Sequence, residues 1–296
     1  MAALLLGALM FFSCKSAPEP VAVDPLLLID RDAALYLYIP VQSHLPLMTA
    51  TLVQMTGMSE KDAEKIASRT ETVYIAEEST KKRQIFQVSA KCSIPLKYAK
   101  MALKPENGWL PQVADGLSIP YTYYTNPQTK IELSLPSSQN ALISYAVQPQ
   151  LSQYDTASAL KMETLTGAAP EKKTEVPSGF DKKVYDFLTA GNASEIRFYE
   201  RKADSFLQNM LGTDLKLPLK SVSGTLANAK NTDSEYDAKL ILEVNDATPA
   251  KMKSLVAGLK IALFPMPAKI QQLGADHIAI SDISLSKTAL VRLVTN

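Results

Sequence analysis

The feature of this 296-residue chain that most limits its fold is an order of strand and helix patterns that occurs twice. Residues 34–147 contain a short apolar run, helical segments, an alternating hairpin, another helix and further alternation. A similar order returns in residues 195–294, with a helix at 203–211 and closing strands at 277–284 and 288–294. Because period-two alternation is typical of strands and a 3.6-residue period of helices, we predict an α+β fold. We expect two related, duplicated modules of antiparallel sheet with helices packed on the sheet faces.

The N-terminus has the layout of an export signal. Residues 1–13 form an uncharged apolar run, too short for the roughly 20 residues that span a bilayer, and a polar, proline-rich segment follows Cys14. Residues 11–14 read Phe-Phe-Ser-Cys and resemble a bacterial lipobox, with Phe11 in the place of the usual Leu as in spirochaetal lipoproteins. The resemblance implies cleavage before Cys14 and lipidation of its thiol. No positive charge precedes the run, so we expect a start codon upstream; a buried N-terminal helix is the alternative.

Residue matches at equal or nearly equal spacing support a duplication. Residues 86–101 parallel 240–255, and residues 131–143 parallel 278–291, although coincidence between two generic α+β domains is the alternative. The polar segment between the halves favours a linker, with room for a short helix at 157–165. The expected division is a signal peptide 1–13, a lipidated Cys and tether 14–25, a first module 26–149, a linker 150–178 and a second module 179–296.

The residues that carry most enzyme chemistry are scarce. His44 and His277 are the only histidines, and acylation of Cys14 leaves Cys92 as the single thiol, so neither zinc spacing nor an intramolecular disulfide is available. Hydrolase, nucleotide and dinucleotide fingerprints are absent from the sequence. A net charge of +1 gives no basic excess for nucleic acid. We therefore predict no enzyme, no cofactor, no metal and no nucleic-acid partner; a hydrolase with an unrecognised site is the alternative.

Charge is distributed in a way that suits lipid contact. No charged side chain lies between Asp32 and Glu60, and the helical segment 45–58 is apolar on more than one face, so it is either buried or meets lipid. In the second half, a lysine-flanked apolar stripe leads into residues 261–268, which have no polar side chain. The alternative is that both helices simply cover a sheet. The predicted membrane or lipid contacts are Leu45, Met48, Leu52, Val53, Met55, Leu259, Ile261, Leu263, Phe264 and Met266.

Lipidation, the lack of disulfides and these helices together resemble treponemal outer-membrane lipoproteins whose amphipathic helices dip into the inner leaflet. They are also similar to mycobacterial lipid-carrying lipoproteins. The resemblance implies a non-enzymatic lipoprotein, anchored by Cys14 in the outer membrane and facing the periplasm, that inserts helices into the leaflet or carries a lipid. The alternative function is a protein-interaction module for envelope assembly, which would bind a partner through a groove between the halves or an exposed strand edge.

Overall fold

The computed structural model covers most of both predicted modules. It describes residues 21–80, 84–165, 177–190, 193–201, 203, 217–229, 235–264 and 266–295, the last four by backbone alone. The expected signal peptide, Cys14, most of the tether and most of the expected helix 203–211 lie outside the described residues. Within the described ranges, no helix is both long enough and apolar enough to cross a membrane.

Twelve described strands form one antiparallel sheet. They are β1 (Leu35–Pro40), β2 (Thr70–Ser79), β3 (Gln84–Cys92), β4 (Leu110–Ala114), β5 (Tyr121–Asn126), β6 (Ile131–Ser137), β7 (Asn140–Ser144), β8 (Ile196–Glu200), β9 (Leu219–Asn228), β10 (Glu235–Val244), β11 (Lys269–Leu273) and β12 (His277–Ser286). Their spatial order is β11-β12-β10-β9-β8-β1-β2-β3-β7-β6-β5-β4. The two halves therefore meet side by side where β1 pairs with β8, from Leu35 opposite Glu200 to Tyr38 opposite Arg197.

Seven helices are described, and several begin or end at residues whose local chemistry favours it. They are α1 (Leu45–Thr56), α2 (Glu60–Ala67), α3 (Leu96–Ala102), α4 (Gln148–Leu165), α5 (Lys182–Thr189), α6 (Pro249–Ala262) and α7 (Lys287–Thr295). Gly57 ends α1 with a left-handed φ of 68°, which glycine adopts without steric cost. Asp181 and Thr248 cap α5 and α6 by accepting backbone N–H bonds, and Pro249 occupies the first position of α6.

Alternation along the strands gives the sheet two different faces. The front face is aliphatic, with residues such as Leu37, Ile75 and Leu240, and it is covered by α1, α6 and α7 through side chains such as Leu47 and Met252. The back face of the first half is rich in tyrosine and is covered by α4, α5 and the 3-10 segment Pro25–Leu28. The sheet thus lies between two helical layers. Most of the aliphatic core lies on the front face of the sheet, and this part is called the front core.

Four elements differ from the sequence expectations. Residues 288–294, predicted as a strand, lie in α7, so that prediction is wrong; Leu290 is 3% exposed and packs into the front core. Residues 150–165, expected to be mainly linker, continue α4, because Leu151 and Tyr154 pack against the back face. The two edge strands β4 and β11 were not predicted, since their side chains are mostly exposed and show no apolar alternation.

Candidate membrane-contact site

The inner side of α6 is fixed to the sheet. Met252 and Leu259 are seven residues apart, on the same side of the helix, and are at most 2% exposed. Leu263, directly after the helix, is also 2% exposed in the front core. Two of the predicted lipid contacts, Leu259 and Leu263, are therefore interior side chains in this structure.

The end of α6 carries two strongly exposed apolar side chains. Ile261 is 78% exposed and Phe264 is 86% exposed. The amide of Phe264 donates to the carbonyl of Ile261 at 3.2 Å, so the two residues belong to one turn at the end of the helix. Exposed Lys260 precedes this α6 tip, defined here as Ile261 and Phe264. An apolar tip beside a lysine is the composition of segments that lie among lipid headgroups.

The charge-free helix α1 is largely covered. Met48 is 7% exposed, and Leu45 and Leu52 are half-buried against the front core. Val53 and Met55 are half-buried near the end of the helix, as is Met266 after α6. The ten predicted contacts thus divide into three buried, five half-buried and two exposed side chains, and only the α6 tip is bare.

A small cavity lies where α1 ends above β2 and β3. Its volume is about 240 Å³, and its lining includes Met55, Glu77, Phe86, Ile131 and Tyr145. The rings of Phe86 and Tyr145 are 5.6 Å apart, and burial raises the pKa of Glu77. Pockets for drug-sized ligands measure roughly 300–1,000 Å³, so this cavity is too small for a two-chain lipid.

The ionisable groups singled out by the sequence lie far apart in the fold. His44 is fully buried, with Nδ1 3.0 Å from Oδ1 of Asn228 and Nε2 2.8 Å from the carbonyl of Ser194, and burial lowers its pKa. His277 Nδ1 lies 2.6 Å from a carboxylate oxygen of Asp276. Within the described residues, no three His, Cys, Asp or Glu side chains converge as metal ligands. The imidazole of His44 therefore has a structural role, linking α1 to β9.

Apolar exposure also occurs at residues that the sequence did not single out. Leu160 and Leu165 on α4 are 59% and 67% exposed, and Tyr98 and Met101 on α3 are 51% and 67% exposed. The α4 pair lies in a segment expected to be mostly a linker, where isolated leucines carry no recognisable pattern. Regular i, i+3 spacing of Tyr98 and Met101 among lysines was the available signal on α3.

Comparisons with known proteins identify the family of this chain. The family model described as "Outer membrane-associated lipoprotein TP0453" matches residues 20–291. The chain is 23% identical to "Outer membrane protein TP0453" of Treponema pallidum (strain Nichols) over 241 residues, which cover 81% of this chain and 76% of that protein.

Solved structures of the same relative share the fold. Crystal forms I and III of TP0453 superpose with TM-scores of 0.65 and 0.64 at 22% and 20% identity, each covering 93% of this chain and 98% of the other. The predicted α+β class, with antiparallel strands and helices packed on the sheet faces, and the resemblance to treponemal lipoproteins are both confirmed, with one large sheet shared by the two halves. Localisation in the cell envelope, at the outer membrane, is confirmed as well. Because the family model spans nearly the whole chain, the protein belongs to the TP0453 family of outer membrane-associated lipoproteins.

Proposed function

We propose that this protein is a non-enzymatic lipoprotein, anchored through acylated Cys14, that presses the α6 tip into the adjacent membrane leaflet. The observation that carries the proposal is the 86% exposure of Phe264 beside the 78% exposure of Ile261, on a helix whose opposite side is in the core. Burying one such side chain contributes about 1.5–3 kcal/mol. Burial of both side chains in lipid therefore strengthens the binding of a protein that the anchor already holds at the membrane.

The other predicted contacts require more than surface docking. Met48, Leu259 and Leu263 are each at most 7% exposed, so they reach lipid only if α1 or α6 leaves the sheet. That detachment costs about 1.5–3 kcal/mol for each side chain exposed to water. We therefore assign the contact in this conformation to Ile261 and Phe264, with half-buried Met266 beside them.

Vesicle flotation tests this function without the anchor. Protein comprising residues 15–296, which lacks Cys14, is mixed with anionic phospholipid vesicles and centrifuged through a density gradient. We expect the wild type to float and the variant Ile261→Ser/Phe264→Ser to remain largely in the dense fraction. The matched control is Leu110→Ser/Val113→Ser, which removes two side chains that are 42% and 55% exposed on the edge strand β4 and should float normally. Wild-type protein that never floats, and that co-purifies with no lipid by mass spectrometry, rules out both membrane contact and lipid carriage.

Two further functions each have a specific structural basis. The first is carriage of a small apolar molecule in the 240 Å³ cavity beside Phe86 and Tyr145. Native mass spectrometry tests it, because a bound molecule should be lost in the variant Phe86→Glu. An envelope-assembly role draws on β4 and β11, the outermost strands of the described sheet. That role predicts a stable partner after cross-linking in membranes, together with an ectodomain that binds no vesicles.

A further inference from the structure

The first described residues are fixed at one particular end of the sheet. The side chain of Asn140 accepts a hydrogen bond from the amide of Val23 at 3.0 Å and donates one to its carbonyl at 2.8 Å. Asn140 begins β7, and strand register places it at the same end as Pro40 of β1. By register, this end also carries Ser286 of β12. We call it the anchor end, because the tether from Cys14 arrives here.

Helix α4 runs toward the anchor end and passes beyond it. It begins after β7 reaches the far end of the sheet. The carboxylate of Asp155 accepts hydrogen bonds from the amide of Ser118 and from the hydroxyl of Tyr121, both at 2.9 Å. Tyr121 begins β5 at the anchor end. Leu165 lies ten residues further along the helix, so at 1.5 Å per residue it extends up to about 15 Å past this level.

Helix α4 also holds the described end of the tether. The hydroxyl of Tyr154 donates to the carbonyl of Val21 at 3.1 Å, and Nζ of Lys161 donates to the carbonyl of Ala22 at 2.6 Å. Val21 follows Cys14 by seven residues, a stretch that extends at most about 25 Å. The helix projection of about 15 Å is shorter than this reach. An acyl chain on Cys14 and the end of α4 can therefore meet the same leaflet at once.

Apolar side chains are exposed on this projection, next to the charged side chains of Lys161 and Glu163. Leu160 is 59% exposed and Leu165 is 67% exposed, while Ile119, in the loop between β4 and β5 at the same end, is 44% exposed. We propose that these three side chains rest in the phospholipid leaflet that holds acylated Cys14, so that the anchor end of the sheet faces the bilayer. This inference rests on the proposed function, to which it adds a second contact and an orientation.

The α6 tip lies toward the same end of the sheet as the α4 contact. Strand β11 begins at Lys269, opposite Ser281, and runs away from the anchor end to Leu273. Helix α6 starts after β10 has reached the far end of the sheet at Val244 and runs back over the front face, so Phe264, just after its last turn, lies toward the anchor end. The α4 contact is on the back face and the α6 tip is on the front face. Nine strand spacings separate β5 from β12, about 43 Å at 4.8 Å each, so two distant contacts fix the orientation.

Quenching by brominated lipid tests the orientation on the full acylated chain. Trp109, the only tryptophan, is replaced by Phe. Single tryptophans are then introduced as Leu165→Trp, Phe264→Trp or, at the far end of the sheet, Tyr145→Trp. Each protein is incorporated into phosphatidylcholine–phosphatidylglycerol vesicles with and without bromine on the acyl chains. Bromine quenches indole only at short range, so loss of emission reports contact with the hydrocarbon.

We expect brominated vesicles to quench Leu165→Trp and Phe264→Trp and to leave Tyr145→Trp unchanged. If Leu165→Trp keeps its emission while Phe264→Trp is quenched, the α4 contact is wrong and the proposed function stands. If neither is quenched, both proposals fall, and quenching of Tyr145→Trp overturns the orientation. Circular dichroism verifies folding; Leu160→Trp replaces Leu165→Trp, and Ile261→Trp replaces Phe264→Trp, if either variant does not fold.

Discussion

Gly224 of β9 leaves the space that the ring of Phe198 occupies at the junction of the two halves. A Cβ atom at Gly224 would lie 2.5 Å from Cζ of Phe198 and 2.9 Å from Cδ2 of Leu240. Phe198 is fully buried and pairs with Leu37 of the first half on its other side. The substitution Gly224→Ala therefore forces a ring to move where both halves share one core, and we predict that it destabilises the whole protein.

The magnitude follows from two opposing terms. Overpacking a well-packed core costs about 1–3 kcal/mol, and contacts to two buried side chains below 3.0 Å place this site at the upper part of that range. Replacing glycine by alanine in a strand returns about 0.5–1 kcal/mol by reducing the entropy of the unfolded chain. The net prediction is a loss of about 1–2.5 kcal/mol for Gly224→Ala.

Urea unfolding of four proteins measures this prediction as a double-mutant cycle. Wild type, Gly224→Ala, Phe198→Leu and the double variant are compared at equal m-values. Because Phe198→Leu removes the ring atoms closest to the new Cβ, we expect Gly224→Ala to cost at least about 1 kcal/mol less in that background. Ser223→Ala, at a half-buried neighbouring position on the back face, serves as the control. A cost below about 0.5 kcal/mol, or equal costs in both backgrounds, refutes the steric reasoning.

Three further predictions concern ionisable groups. Burial opposes ionisation of Glu243, but hydrogen bonds from Lys183, Lys220 and a serine outweigh it and lower its pKa to about 2. The free energy of unfolding should therefore fall by about 1–2 kcal/mol as the pH drops from about 5 to 2, a value discounted because the two lysines are exposed. Glu243→Gln should remove that loss in urea titrations. Burial lowers the pKa of His44, so the free energy of unfolding should also fall as the pH drops below about 6.5. If His44→Gln shows the same dependence of this free energy on pH, the prediction is wrong. Burial raises the pKa of Cys92 to about 11, so Ellman's reagent should modify it quickly only in urea; rapid reaction of the native protein would contradict this.

Regular periodicity made much of the fold predictable. The hairpin of β2 and β3 and the helix α6, which begins after Thr248, follow directly from alternation and capping. Helix α7 was missed because a short apolar run suits either a strand or a helix, and packing of Leu290 against the front core decides between them. Strands β4 and β11 lie at the exposed edges and lack an apolar alternation that a sequence could reveal.

Composition located the candidate site but did not determine which of its side chains are bare. Ile261 and Leu263 are two residues apart and chemically alike, yet they are 78% and 2% exposed. The difference arises from how α6 turns into β11, which depends on contacts with the rest of the sheet. Leu160 and Leu165 were not predicted as contacts because the segment around them is polar, although a short helix at 157–165 was expected; packing of Leu151 and Tyr154 joins that helix to the back face.

The most direct test of the account is the binding isotherm of residues 15–296 on anionic vesicles, measured for the wild type and for Ile261→Ser/Phe264→Ser. Scaling about 1.5–3 kcal/mol per buried side chain by exposures of 78% and 86% predicts a loss of about 2.5–5 kcal/mol. The partition coefficient should therefore fall at least about 50-fold. Equal binding by the two proteins would contradict the claim that the α6 tip contacts the membrane.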